Sequence, residues 1–416
     1  RPGSRPRAWN APWSPKLPSR ASTPSWRRRA SPPDANASVP GAGLTGAGVG
    51  IAVIDSGVAF VPELRGRIVA SRDFTDNRGF GVDAHGHGTH VAGIGAAAGR
   101  NTHDDTRGMA PGAHIVSLRV LDEKGRGYAA DVTEAIDWAI DNKARYRIGV
   151  INLSLGGPVP KSWRTDRVTQ AVERAYRAGI VVVAAGGNFG KDAQGRSVYG
   201  GITSPGNSPY AITVGAINTM GTPWRADDVL ASYSSKGPTL YDRLIKPDVV
   251  APGNRIRGLL APNSTLAATH PELITGTGRD ARIELSGTSM AAPFVAGAVA
   301  GLLEGNRRLS PGAVRILLQY SAEPLYAEGV AVYRRMGDIG SLAQVLTRQA
   351  DARRQRGAMA DAHVALDEAF AIARRLGSRF LLPECLDVLA RVRREEGDPR
   401  GAARLFGAAT RERASI

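Results

Sequence analysis

From about residue 45 the chain alternates between short, unbroken apolar runs and longer stretches whose apolar positions recur every three to four residues. The runs are Gly50–Ile54, His114–Val120, Gly149–Leu153, Gly179–Ala185 and Ala211–Val214. A run without polar alternation predicts a strand covered on both faces, as in parallel sheets. The periodic stretches around His87–Ala98, Ala130–Asn142 and Thr165–Ala178 predict helices between those strands, and Thr288–Leu303 and Pro311–Tyr320 predict two more. This alternation predicts the α/β class, with a doubly wound, mostly parallel sheet. In such sheets, sites gather at the carboxyl ends of the strands.

The pattern breaks at both ends of the chain. Residues 1–44 are rich in Pro, Arg and Ser, carry Trp9, Trp13 and Trp26, and show no period, which predicts a disordered or loosely attached arm. Beyond about residue 325 the strands vanish and Ala, Leu and Arg dominate. Arg334-Arg335-Met336-Gly337 recurs forty residues on as Arg374-Arg375-Leu376-Gly377; Gly357 and Gly397, and Ala350 and Ala390, match at the same offset. Glycines at helix ends predict stacked helical hairpins, so the expected layout is an arm at 1–44, an α/β domain at 45–325 and a small all-α repeat tail at 326–416.

Composition adds little to this picture. Apolar residues make up 42% and charged ones 22% of the chain, ordinary for a globular protein. No apolar run predicts a membrane-spanning helix. The net charge is +16. About +7 of it lies in residues 1–44, where eight basic residues face one acid, and no nucleic-acid-binding motif accompanies it, so no nucleic-acid partner is expected. The single cysteine, Cys385, excludes an internal disulfide framework and reads as a small core residue in a helical pattern.

Four segments carry the candidate chemistry. Val53-Ile54-Asp55-Ser56-Gly57 places a carboxylate at the end of the first strand, where it can fix the tautomer of a histidine; taken alone, Asp-Ser-Gly is a common turn. His85-Gly86-His87-Gly88-Thr89-His90-Val91-Ala92-Gly93 opens a helix with His87 as candidate general base, His90 as a structural histidine and His85 as a flank. The segment holds no Glu and no third ligand, which removes a zinc-peptidase reading. Val181 to Asn188 is a buried strand that ends in small residues and presents an amide able to donate to an oxyanion, although a lone Asn there is commonly a turn cap. Leu285-Ser286-Gly287-Thr288-Ser289-Met290-Ala291-Ala292-Pro293 sets Ser289 at a helix N-terminus, where backbone N–H groups and the helix dipole favour negative charge.

In this order, Asp, His, Asn, Ser, the segments resemble the subtilisin family of serine peptidases over residues 45–323, with details similar to bacterial intracellular alkaline peptidases. Met109-Ala110-Pro111-Gly112-Ala113, Ile151-Asn152-Leu153-Ser154-Leu155-Gly156-Gly157, Ser232 to Pro238 and Lys246 to Gly253 extend the likeness to non-catalytic segments. The tail resembles tetratricopeptide-type repeats found in large bacterial regulators.

The resemblance implies a serine endopeptidase working through an acyl-enzyme: Ser289 attacks, His87 relays the proton, Asp55 orients His87, and Asn188 binds the oxyanion. It implies extended protein or peptide substrates adding to the edges Gly125-Arg126-Gly127 and Ser154-Leu155-Gly156. Ala184, Gly186 and Gly187 are expected to line the pocket for the residue before the cleaved bond. Phe189, beside Asn188, points to apolar or aromatic side chains there. No cofactor is required for such chemistry; Asp104 and Asp105 are candidates for structural calcium, with a solvated loop as the plainer reading. The tail is expected to take a protein partner. Its kinship leans toward the cytoplasm, while a chain beginning at Arg1 leaves room for secretion with an export or pro-segment upstream. Two rivals are a decayed scaffold and a nucleic-acid binder; the intact triad and Asn188 argue against the first, and the missing motif against the second.

Overall fold

The structure is a computed structural model that describes residues 9–10, 43–75, 81–99, 107–222, 228–322, 330, 333–335, 337–355, 357–378 and 380–414. Asp104, Asp105 and nearly all of the expected disordered arm lie outside the described residues. The chain divides into two compact units, Arg1–Ser321 and Ala322–Ile416.

The first unit is built on seven parallel strands: β1 Gly50–Asp55, β2 Ile68–Asp73, β3 His114–Arg119, β4 Ile148–Leu153, β5 Val181–Ala185, β6 Ala211–Asn218 and β7 Val249–Pro252. Their order across the sheet is β7-β6-β5-β4-β1-β3-β2. After β1 the chain goes to the edge strand β2, returns through β3 beside β1, then crosses to β4 and winds outward to β7, so the switch point lies at β1 and β4. Alternate residues feed two cores. Val181, Val183 and Ala185 join the one under helices α1 (His87–Ala96) and α4 (Thr288–Gly305); Val182 and Ala184 join the one under α2 (Ala129–Asp141) and α3 (Arg167–Arg177). A last helix, α5 (Pro311–Ser321), closes the unit.

The five expected strands and five expected helices are present, with ends shifted by a few residues. The sequence pattern did not show β2 and β7. Both are edge strands with mixed exposure: β2 turns polar after Ile68-Val69-Ala70, with Val69 half exposed, and the apolar run of β7 is cut short by Pro252. Nor did it show a three-stranded antiparallel sheet of β8 (Ile256–Leu259), β9 (Ile274–Thr275) and β10 (Arg282–Leu285), whose strands are short and carry charged residues. Helix α4 is by length and composition long and apolar enough to cross a membrane, but 72% of it is buried within the fold as the central core helix.

The second unit has four long helices, α6 Ile339–Gln355, α7 Met359–Arg375, α8 Leu381–Glu395 and α9 Pro399–Ala414. Gly337, Gly357, Gly377 and Gly397 fall at the turns, all at positive φ, so the forty-residue repeat in sequence is a twenty-residue beat of helix and turn. Asp338 and Asp398 follow two of these glycines and accept from Ser341 N and Gly401 N, capping the next helix. Cys385 is fully buried against Thr347 Oγ1 at 3.2 Å, among Leu346, Ala350 and Val388.

A buried ion pair ties β10 to the turn Pro62–Leu64. Arg282 Nη2 donates to Glu63 Oε1 at 2.9 Å, with side chains 6% and 3% exposed. Removing one partner strands a buried charge, whereas an apolar pair of similar volume does not. Arg282→Met should therefore lower the unfolding free energy by about 3–5 kcal/mol in urea titrations, and Glu63→Leu/Arg282→Met should recover most of that loss.

Candidate active site

Asp55 is the last residue of β1, and His87 the first of α1. Helix α1 comes so close to the end of β1 that a Cβ on Gly88 would lie 2.1 Å from Gly57 O, and only glycine fits there. The approach brings His87 Nδ1 to 2.8 Å from Asp55 Oδ1, both side chains fully buried. A carboxylate only accepts, so Nδ1 carries the proton and Nε2 is left with its lone pair and no partner. Burial acts to lower the pKa of His87, but the charge and hydrogen bond of Asp55, with the charge of Asp83 behind them, outweigh it and raise the value above 6.5.

Ser289 is the second residue of α4 and is fully buried. Its Oγ donates to Ser154 O at 2.9 Å, while Ser154 Oγ donates back to Ser289 O at 2.8 Å. The second bond has a cause in Pro293, four residues on. Proline has no N–H to offer the Ser289 carbonyl, and the Ser154 hydroxyl takes that place. Asn152 Nδ2 donates to Ser154 Oγ at 2.9 Å and fixes it in turn. One residue before Ser289, Thr288 holds the amide: its N and Oγ1 both donate to Asn188 Oδ1, at 3.0 and 3.1 Å, and Gly187 N donates to Thr288 Oγ1 at 3.0 Å. With Oδ1 engaged on α4, the NH2 of Asn188 is the end left for a ligand.

An acid–histidine pair, a serine and an oriented amide thus lie at the carboxyl ends of the neighbouring strands β1, β4 and β5. The family model described as the subtilase family matches residues 46–356. The chain belongs to the subtilase family. Serine protease AprX of Bacillus subtilis (strain 168) is 38% identical over 295 residues, 70% of this chain but 64% of AprX, so less than two thirds of that relative is spanned. Thermitase of Thermoactinomyces vulgaris is 36% identical over 72% of this chain and 89% of its own length. Among solved structures, sphericase superposes with a TM-score of 0.55 at 29% identity, covering 68% of this chain and 86% of that one. A cold-adapted subtilisin-like serine proteinase gives 0.52 at 31% identity, over 68% and 85%. This subtilase is accordingly a serine-type endopeptidase, and the Ser–His–Asp triad is the general mechanism of its family.

The expected substrate edges flank the site. Gly125 lies against the buried His85, a Cβ on Gly125 coming within 2.8 Å of its Nε2; the motif puts His85 two residues from His87 but gives no sign of what it faces. Arg126–Gly127 already pairs antiparallel with Trp9–Asn10. Gly156 and Gly187 converge on Thr203, whose Oγ1 and Cγ2 would lie 2.5 and 2.8 Å from a Cβ on either. No motif or spacing points to Thr203, since only the fold carries it there. Ala184 is corrected: its side chain is fully buried among Ile54, Leu153 and Val182 on the other face of β5, so it cannot line an open pocket. Leu155 is likewise buried there, so its side chain does not face substrate. Phe189 is 59% exposed, its N–H on Ser235 Oγ. Among the described residues no group of three or more His, Cys, Asp or Glu gathers to hold a metal.

His90 is fully buried with Nε2 3.1 Å from Ile256 O, as a structural histidine should be. Burial, then the charge of His87, lowers its pKa to about 4; burial does the same for His85. The unfolded chain binds a proton near 6.5, where folded His90 does not. The stability from these histidines is present above pH 6.5 and lost as pH falls toward 4. Through these two histidines the urea midpoint should fall as pH drops from about 6.5 toward 4, and His90→Gln, destabilised overall, should show a shallower fall; the raised pKa of His87 acts the opposite way, its contribution being lost as pH rises through that value.

Proposed function

We propose that this subtilase cleaves extended protein substrates after apolar residues, with Ser289 as nucleophile, His87 as general base and acid, Asp55 as its orienting carboxylate, and Asn188 with the Ser289 N–H as oxyanion donors. The 2.8 Å bond from His87 Nδ1 to Asp55 carries this reading, because it leaves Nε2 unprotonated and without a hydrogen-bond partner, free to act as the base. Ser289 Oγ turns from Ser154 O to Nε2, gives up its proton and attacks the scissile carbonyl. The tetrahedral oxyanion is held by the Asn188 amide and the N-terminus of α4; collapse expels the amine with the proton from His87, and water repeats the sequence on the acyl-enzyme. Asp55 remains ionised throughout.

Gly156 and Gly187 both pack on Thr203, and exposed Phe189 stands beside Asn188; none of these residues is ionisable. This supports a preference for apolar side chains; a peptide library dominated by Lys or Arg at that position would overturn it. The tail carries Val364 and Phe380 at 67% and 72% exposure, which supports a protein partner there.

Ser289→Ala should abolish fluorophosphonate labelling and lower casein hydrolysis on the order of 10⁶-fold, the figure known for subtilisin itself. Asn188→Ala should keep labelling measurable but lower kcat about 10²–10³-fold at near-constant KM, again as in subtilisin. Because the base must be neutral and its pKa is raised, kcat/KM should fall as pH drops through a midpoint above 6.5. A folded wild type that takes no fluorophosphonate label would contradict the function.

A further inference from the structure

We propose that Asp83 is a positioning residue that holds the start of α1, and with it His87, against the end of β1. Asp83 lies in the segment ahead of the helix and is 2% exposed. Its Oδ1 accepts from Ser56 Oγ at 2.8 Å and Gly86 N at 2.6 Å; its Oδ2 accepts from Thr89 N at 2.7 Å and Thr89 Oγ1 at 2.6 Å. The N-cap of α1 is Gly86, which has no side chain to cap with, so the carboxylate of Asp83 does that work from three residues upstream. Ser56 closes the link: it follows Asp55, and its Oγ also accepts from Gly88 N at 2.9 Å. The neighbours of the carboxylate all donate, and only its ionised form has lone pairs for every one of them. Burial pushes the pKa of Asp83 up, and the bonds from Thr89, Gly86 and Ser56 oppose it.

The titratable groups acting on His87 are Asp55 from β1, Asp83 ahead of α1, and His85 and His90 beside it, the last two neutral above about pH 5. Asp83 therefore does two things to the base: it places the ring, and its charge favours the imidazolium. This proposal rests on His87 as the base, and the test separates the two. Asp83→Asn keeps the shape but faces an NH2 toward donors. It should lower kcat roughly 10–100-fold with KM nearly unchanged, and move the acid limb of kcat/KM to lower pH. Ser56→Ala, which leaves Asp83 three of its donors, should lower kcat by a smaller factor with the same unchanged KM and serves if Asp83→Asn does not fold. Folded variants with wild-type kcat and an unmoved limb would overturn the role of Asp83, while labelling of the wild type would leave the peptidase reading standing.

Discussion

The hydrogen bond between Asp55 and His87 sets what the rest of the site must do. It needs two ionisable side chains out of water, which is unfavourable unless each keeps a partner. The fold meets that demand by bringing a strand end and a helix start closer together than any side chain at position 88 permits. Asp83 then satisfies the helix N-terminus that glycine cannot cap. The same closeness raises the pKa of His87, so the bond that orients the base also moves its working range upward.

The other half of the site depends on α4. That helix is the centre of the core, and its first turn projects to the sheet edge. Thr288 locks the amide of Asn188, Ser289 presents its hydroxyl, and Pro293 frees the carbonyl that Ser154 then holds. A core helix is the most rigid mount the fold has, because shifting it would disturb the packing against most of the sheet. Ser289, the Asn188 amide and the Ser154 segment are thus tied to one core helix, an arrangement that favours preorganised donors over mobile ones.

Much of this was legible in sequence because it is local. The motifs around Asp55, His87 and Ser289 combine small residues for close approach with the reacting group itself, and unbroken apolar runs mark the inner strands. What was illegible depends on three-dimensional neighbours. The face toward which Ala184 points follows from register, and a shift of one residue reverses it, so the pocket wall was misassigned. Thr203 and His85 take part through contacts with Gly156, Gly187 and Gly125 that no spacing reveals. Asp83 looks like any polar residue ahead of a helix. The edge strand β2 turns polar after three residues, and β7 is only Val-Val-Ala before Pro252 cuts it off, too short to stand out. In the tail, glycines forty residues apart showed the repeat, but the beat of twenty emerged only when all four were seen at positive φ.

The state of the His87 ring is where the central claim is most exposed. Titrating the protein with ¹⁵N-labelled imidazole and following His87 by NMR reads both tautomer and pKa. Protonation on Nδ1 in the neutral form, with Nε2 taking up the second proton at a midpoint above 6.5, is the predicted result. A neutral form protonated on Nε2, or a midpoint below 6.5, would contradict the buried Asp55–His87 pair as the foundation of the site.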